Sequence, residues 1–408
     1  MSNMNSTTDS RRTASRLLAP ARTLALALAI TAFAAAPQNA HADHRDQAKR
    51  IYDRLTGTPP SPAVLDELTQ KLDGGSTLEQ TALFLVDNTA DQRSSNFYSV
   101  TLKNFATPWT NRDRTVFAPL NDYTATVIGI VRDDLDFRTL LSDDIVYVGN
   151  ASPAYSPSNN THYETLESTN ADLRAVLQRR TQSSLNGLPP EATAGVLTSR
   201  AAAEAFFYRG TNRAQFRFTL LNHLCRDMEN VHDTTRPPDR IRQDVTRSPG
   251  GDSSVFLNNC IGCHSGMDPM AQAFAYYDYD EVGTKIAYTP GTVQPKYLIN
   301  SDNFKPGFVT PDNKWENRWR LPGLNKNQIG WSPNLPGNGE GAKSLGMELA
   351  NSDAFAECQV EKVYRTVCLH TPTDNTEQTT FNGIVTNFKN GGSLKRVFAE
   401  TAAACAGN

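Results

Sequence analysis

The pentapeptide Cys260-Ile261-Gly262-Cys263-His264 constrains this chain more than any other stretch. C-x-x-C-H is the pattern of covalent haem c attachment. Two intervening residues let one helical turn bring both thiols to the vinyl groups of a porphyrin, and the histidine that follows supplies an imidazole nitrogen to the iron. The motif therefore predicts one covalently attached haem c, held by Cys260 and Cys263, with His264 as an axial iron ligand.

Two other kinds of site use the same cysteine spacing. C-x-x-C also occurs in redox dithiols and as half of a zinc site. The sequence has no second C-x-x-C to complete a zinc site. No βαβ pattern surrounds residues 260–263, as a thioredoxin-like dithiol would require. Haem c is the favoured interpretation if the chain reaches an oxidising compartment.

Residues 1–42 have the organisation of an export signal. Residues 23–36 form an apolar segment too short and too alanine-rich to span a membrane, and 40–42 read Ala-His-Ala, a typical cleavage site. We expect cleavage after Ala42 and a location in the periplasm or otherwise outside the cytoplasm. The basic region before the apolar segment consists of Arg11, Arg12, Arg16 and Arg22.

The charge of the mature chain restricts its partners. Removal of residues 1–42 would leave 366 residues with 36 basic and 42 acidic side chains, a formal charge of −6. This mild acidity disfavours nucleic acid or an anionic membrane and fits a redox partner protein. No other stretch reaches 18 apolar residues, so we expect no membrane span in the mature chain.

Helical patterns dominate the chain and predict a mainly α fold, a helical bundle with long irregular loops around one cytochrome c-like haem site. Residues 121–141 and 171–184 are predicted as helices, although a β-branched run near 123–131 leaves a strand possible there. Also predicted are a helix capped by Ser61 and ended at Gly74, a capping box at 76–79 and a haem-attachment helix over 255–264. Residues 143–160 and 291–340 are predicted as loops, the second either covering the haem edge or forming a surface insertion.

A Gly/Pro cluster near residue 189 divides the mature chain into an N-terminal helical region, 43–189, and a haem-bearing region, 190–408.

Several segments carry a family resemblance. They occur in one order along the chain and cover about half of its mature length, with the C-x-x-C-H motif the most specific part. They resemble planctomycete-type cytochrome c-like proteins, bacterial domains of unknown function that carry one such motif. The resemblance implies a mainly helical, exported haem protein and brings no catalytic residue with it. The matching segments are Asp136–Leu141, Gly195–Thr198, Arg209-Gly210, Leu220–Cys225, the motif, Met267-Asp268-Pro269, Phe274–Asp278 and Ser352–Phe355.

The ligand on the other face of the iron is left open by the sequence. Met267 and Met270 follow His264 so closely that they lie on its side of the porphyrin. Either methionine would have to cross the edge of the porphyrin ring to reach the other face of the iron. Three residues stand as the candidates for this sixth position: Met347, His232 and His223. Met228, His162 and His370 are further possibilities.

Four cysteines remain after haem attachment, an even number that suggests two disulfides in an oxidising compartment. Cys358 and Cys368 are ten residues apart on one predicted helix, about 15 Å, which is too far for a disulfide. We expect Cys225–Cys358 with Cys368–Cys405, or the crossed alternative.

Two functions follow from the sequence, and the sixth iron ligand decides between them. A methionine or histidine in the sixth position would complete the coordination of the iron, which suits single-electron transfer to or from a redox partner. An open or displaceable site would suit a peroxidase-like or oxygenase-like haem enzyme. A haem-stabilised binding protein without turnover is a third possibility.

Overall fold

The N-terminal helices begin and end at the capping residues that the sequence indicates. Ser61 accepts a hydrogen bond from the Val64 amide and Gly74 ends the same helix. The predicted capping box at residues 76–79 lies one residue later, where Thr77 and Gln80 exchange side-chain hydrogen bonds with each other's amides. These helices are α1 (His44–Thr56), α2 (Pro62–Asp73) and α3 (Leu78–Asp87).

The computed structural model describes residues 42–87, 93–298 and 306–407. The predicted export signal, apart from Ala42, lies outside the described residues. The prediction of a mainly helical chain is confirmed, and residues 121–141 do open with a helix. The remaining longer helices are α4 (Asp122–Arg132), α5 (Thr161–Ser168), α6 (Asn212–His223), α7 (Ile261–Ala271), α8 (Gly341–Ala350), α9 (Asp353–Cys368), α10 (Asn375–Gly391) and α11 (Leu394–Ala404).

In the described part of the chain, three antiparallel two-stranded ribbons interrupt the helices. The first corrects two predictions, because part of the loop predicted at 143–160 pairs with part of the helix predicted at 171–184. Tyr147 lies opposite Arg179 in this ribbon, and the Tyr147 ring packs on the α-carbon of Gly129 in α4. This tertiary contact outweighs the local helical pattern. The strands are β1 (Val146–Val148) with β2 (Gln178–Arg180), β3 (Tyr277–Asp280) with β4 (Lys285–Tyr288), and β5 (Lys314–Glu316) with β6 (Asn338–Glu340).

One hydrophobic core draws side chains from both ends of the chain. Phe398 of α11 contacts Phe97 and Phe105 edge-on, with ring centroids 5.1 and 5.3 Å away. The two regions that the sequence separates at residue 189 therefore share this core. No helix within the described ranges combines the length and the apolar character that a membrane crossing needs.

Two disulfides join distant parts of the fold. Cys225, just after α6, is bonded to Cys358 of α9, and Cys368 at the end of α9 is bonded to Cys405 after α11. The first of the two predicted pairings is therefore confirmed. Both bonds anchor α9, so this helix is covalently tied to the segment before the haem motif and to the C-terminus.

Replacement of the Cys225–Cys358 pair by alanines should lower the free energy of unfolding by about 2–5 kcal/mol. The bond joins residues 133 positions apart, so its loss frees a long loop in the unfolded chain. Denaturant titration of the purified protein measures the change.

The Cys368–Cys405 pair supplies the matched control, because only 37 positions separate its residues. Its removal should cost about 1 kcal/mol less than removal of the longer link if loop entropy dominates. A larger loss from the shorter link would contradict this account.

Candidate functional site

The C-x-x-C-H motif lies within one uninterrupted helical stretch, residues 253–271. Asp252 caps its start by accepting a hydrogen bond from the Ser254 amide. A π-helical turn, Phe256–Cys260, leads directly into α7. The predicted attachment helix over 255–264 is thus present and extends seven residues further.

This helix has one open face. Between residues 260 and 271 every residue is buried except Cys260, Cys263 and His264, which are each partly exposed. At about 100° per residue these three positions fall on the same side of the helix. Just before them the apolar side chain of Leu257 is 55% exposed. Within residues 260–271, the three residues that haem attachment would require are therefore the three that the fold leaves accessible.

The opposite face of the helix is packed through two glycines. A Cβ placed on Gly262 would lie 2.3 Å from Nε2 of His232, and one on Gly266 would lie 2.1 Å from Nε1 of Trp319. Both rings thus rest directly on the helix backbone. The backbone of Gly262 also accepts a hydrogen bond from the Asp233 amide at 2.9 Å. This close packing fixes the rotation of the helix and so the direction of its open face.

The two motif cysteines are free thiols, whereas the other four cysteines are paired. Burial, followed by the nearby carboxylates of Glu229 and Asp227, raises the pKa of Cys263. A redox-active dithiol needs the opposite, a thiolate stabilised near neutral pH. In the described part of the chain no group of three or more His, Cys, Asp or Glu side chains is placed to hold a metal ion.

His264 is oriented by Asp268, one helical turn further on. Nδ1 of His264 lies 3.0 Å from Oδ1 of Asp268. An ionised carboxylate only accepts hydrogen bonds, so Nδ1 carries the proton and donates it. Nε2 is then the nitrogen with a free lone pair, which is the form that binds a metal. The side chain of His264 is 22% exposed, which leaves it reachable from the open face.

Asp268 is itself fully buried and firmly held. Arg213 of α6 donates to both of its oxygens, at 2.7 and 2.8 Å, and the Arg242 amide donates to Oδ2 at 3.0 Å. Burial alone would raise the pKa of Asp268, but the Arg213 guanidinium and the His264 hydrogen bond hold it well below its ordinary value. The carboxylate therefore stays ionised throughout the physiological pH range.

A second carboxylate completes this cluster. Asp244 accepts two hydrogen bonds from Arg213, both at 2.7 Å, and one from Arg242 at 2.8 Å. No role for Asp268, Asp244, Arg213 or Arg242 is predicted from the sequence. The spacing of His264 and Asp268, which places i and i+4 on one helix face, was the available signal. The arginines come from a separate helix and loop, and nothing local in the sequence connects them to the motif.

The structure places two of the predicted sixth ligands away from the open face. The ring of His232 lies on the glycine face of the helix, as described above. His223 is fully buried, with Nε2 2.6 Å from the Tyr123 hydroxyl and its ring edge-on to Trp109. Burial, followed by the nearby Lys362, lowers the pKa of His223 well below its ordinary value. The His223 ring is therefore neutral, and its Nε2 already has a hydrogen-bond partner within the core.

The other candidates are spread over the molecule. Met347 is 41% exposed on α8. Both nitrogens of His162 are hydrogen bonded, to the Gly149 amide and the Pro153 carbonyl, while His370 is exposed and contacts its neighbour's carbonyl. Met228 is buried, and its carbonyl lies 3.6 Å from the Cys263 thiol.

The segment predicted as a long loop, 291–340, packs behind the helix in its described part. Besides the Trp319 contact, Arg318 is paired with Asp239 and Arg320 with the buried Glu348 at 2.7 Å. Both arginines thus have carboxylate partners within the fold. The segment buttresses the glycine face of the helix.

Comparison of the chain with protein-family models, curated proteins and solved structures gave no match. The resemblance to the planctomycete-type proteins stays a prediction, and the function has to be inferred from the residues of the site.

Gly262→Ala should destabilise the protein by about 1–3 kcal/mol, because the added methyl group would overlap the His232 ring. The free energy of unfolding measured by denaturant titration tests this.

Gly383→Ala is the matched control, since Gly383 also lies inside a helix but has no atom near its Cβ position. At this position the higher helix propensity of alanine should raise the free energy of unfolding by up to about 1 kcal/mol. If both substitutions stabilise the protein, the close packing behind the motif is refuted.

Proposed function

We propose that this chain is an exported c-type cytochrome with one haem c, bonded through Cys260 and Cys263, and that it transfers single electrons to or from a redox partner protein. The observation that carries the proposal is the open face of the motif helix. Both thiols and the imidazole emerge from that face, and every other residue between 260 and 271 is buried.

The residues at this face fit such a group. Each free thiol can add to one vinyl group, which would fix the porphyrin edge against the helix. His264 offers Nε2 as an axial ligand because Asp268 holds the proton on Nδ1. A bound haem c would supply a one-electron iron couple. The exposed Leu257 lies one turn before Cys260, and a porphyrin edge would cover apolar surface of this kind.

Export is supported by two features of the chain. Paired cysteines are typical of oxidising compartments and rare in the cytoplasm, and Cys225–Cys358 and Cys368–Cys405 are both paired. The N-terminal 42 residues have the organisation of a cleavable signal.

A haem enzyme, peroxidase-like or oxygenase-like, is the second candidate, and the placement of the proposed sixth ligands favours it. His232 lies against Gly262 on the far face, His223 is hydrogen bonded to Tyr123 in the core, and Met347 lies on the surface of α8. Neither histidine is aimed at the open face. An iron without a protein ligand on its second side can bind peroxide or dioxygen.

Replacement of both motif cysteines by alanine should abolish covalent haem, because thioether bonds are the only covalent link that the proposal provides. The protein is produced with a haem c maturation system, and haem that persists on a denaturing gel is detected by its peroxidase stain. The Cys225→Ala/Cys358→Ala variant loses the same number of cysteines and should keep the stain. Equal staining of wild type and the Cys260→Ala/Cys263→Ala variant would contradict the proposal.

The optical spectrum of the oxidised protein distinguishes the two functions. A low-spin, six-coordinate spectrum that cyanide changes only slowly is expected of an electron carrier. A high-spin spectrum with rapid cyanide binding is expected of an open iron site. That result would contradict the electron-transfer function and favour the haem enzyme.

A further inference from the structure

We propose that Asp268 is a positioning residue that gives the iron ligand His264 anionic character and thereby lowers the reduction potential of the haem. This inference rests on the proposed haem attachment. It concerns a residue next to the motif, and it would hold whether the protein is an electron carrier or an enzyme.

The first step is the geometry of the pair. The Nδ1–Oδ1 distance of 3.0 Å is that of an ordinary hydrogen bond, and the two residues are separated by one helical turn. A carboxylate that accepts the second ring proton of a metal-bound histidine fixes the ring orientation and raises the basicity of the ligand nitrogen. A more basic ligand donates more electron density to the iron and stabilises the ferric state.

The second step is the rigidity of the carboxylate. Oδ1 receives hydrogen bonds from Arg213 and His264, and Oδ2 receives them from Arg213 and the Arg242 amide. The Asp268 side chain has no exposed surface. With its acceptor positions filled and no solvent contact, Asp268 has no alternative partner to turn to when the iron changes oxidation state.

The third step is the balance of charge around the pair. Two carboxylates, Asp268 and Asp244, face two guanidinium groups, Arg213 and Arg242. Arg247 adds a third guanidinium that interacts with both carboxylates, so neither carboxylate acts on the iron as an isolated charge. The influence of Asp268 is therefore directed through its hydrogen bond to His264, the contact that Asp244 lacks.

The test compares Asp268→Asn with Asp244→Asn in the haem-loaded, full-length mature protein. Each variant removes one negative charge from the same cluster and from the same arginine, but the first alone changes the partner of His264. A spectroelectrochemical titration gives the midpoint potential of each protein, and circular dichroism checks that each is folded.

Asp268→Asn should shift the reduction equilibrium toward ferrous iron at least tenfold, which is about 59 mV for a one-electron couple. Asp244→Asn should shift it less than threefold. Equal shifts in the two variants, or no shift in Asp268→Asn, would overturn the inference while leaving haem attachment intact. A wild-type protein that carries no haem would instead overturn the proposed function, and this inference with it.

The wild-type protein provides a measurement that does not depend on the folding of a variant. In the proton NMR spectrum of the ferric protein, the His264 Nδ1 proton should give a hyperfine-shifted signal that exchanges slowly with D2O, because a buried carboxylate holds it. Exchange of that proton as fast as for a solvent-facing imidazole would refute the pairing.

Discussion

The rings of His232 and Trp319 pack against the backbone of the motif helix at two glycines, and this packing determines which face of the helix is exposed. Because Gly262 and Gly266 have no side chains, His232 and Trp319 pack directly on the helix backbone and bury one side of the helix. The other side is thereby turned outward with both thiols of the motif. Larger residues at the two glycines would push the helix away from the core and rotate or displace the face that carries Cys260 and Cys263.

The buried side and the open side are linked through His264. The His264 ring is partly exposed to solvent, yet its Nδ1 is hydrogen bonded to Asp268. Asp268 is buried and is held in turn by hydrogen bonds from Arg213. A partly exposed side chain with a rigid interior support is the arrangement that a preorganised site requires, because His264 would then need no rearrangement to bind the iron of the proposed haem. If the proposed haem is attached, the more basic His264 would favour ferric iron, which would suit a low-potential electron carrier and also a haem that activates peroxide.

Local signals in the sequence located the motif and the caps at Ser61 and Gly74, because each depends on residues close together in the chain. A simple distance limit reduced the disulfides to two possible sets of pairs. The strand pair 146–148 with 178–180 was missed, since its stability comes from packing on α4. The Asp268 network was missed for a similar reason. Arg213 lies 55 positions before Asp268, and the sequence holds no periodic pattern that would join two such distant positions.

The central claim is that a porphyrin is bonded to this chain through the two accessible thiols. Intact-mass spectrometry of the mature protein, produced with a haem c maturation system and unfolded in acid and organic solvent to strip any loosely held cofactor, addresses it directly. The account predicts a polypeptide heavier than its amino acids by one haem, with the added mass on the peptide that contains residues 260–264. A mass equal to that of the mature polypeptide alone would contradict it.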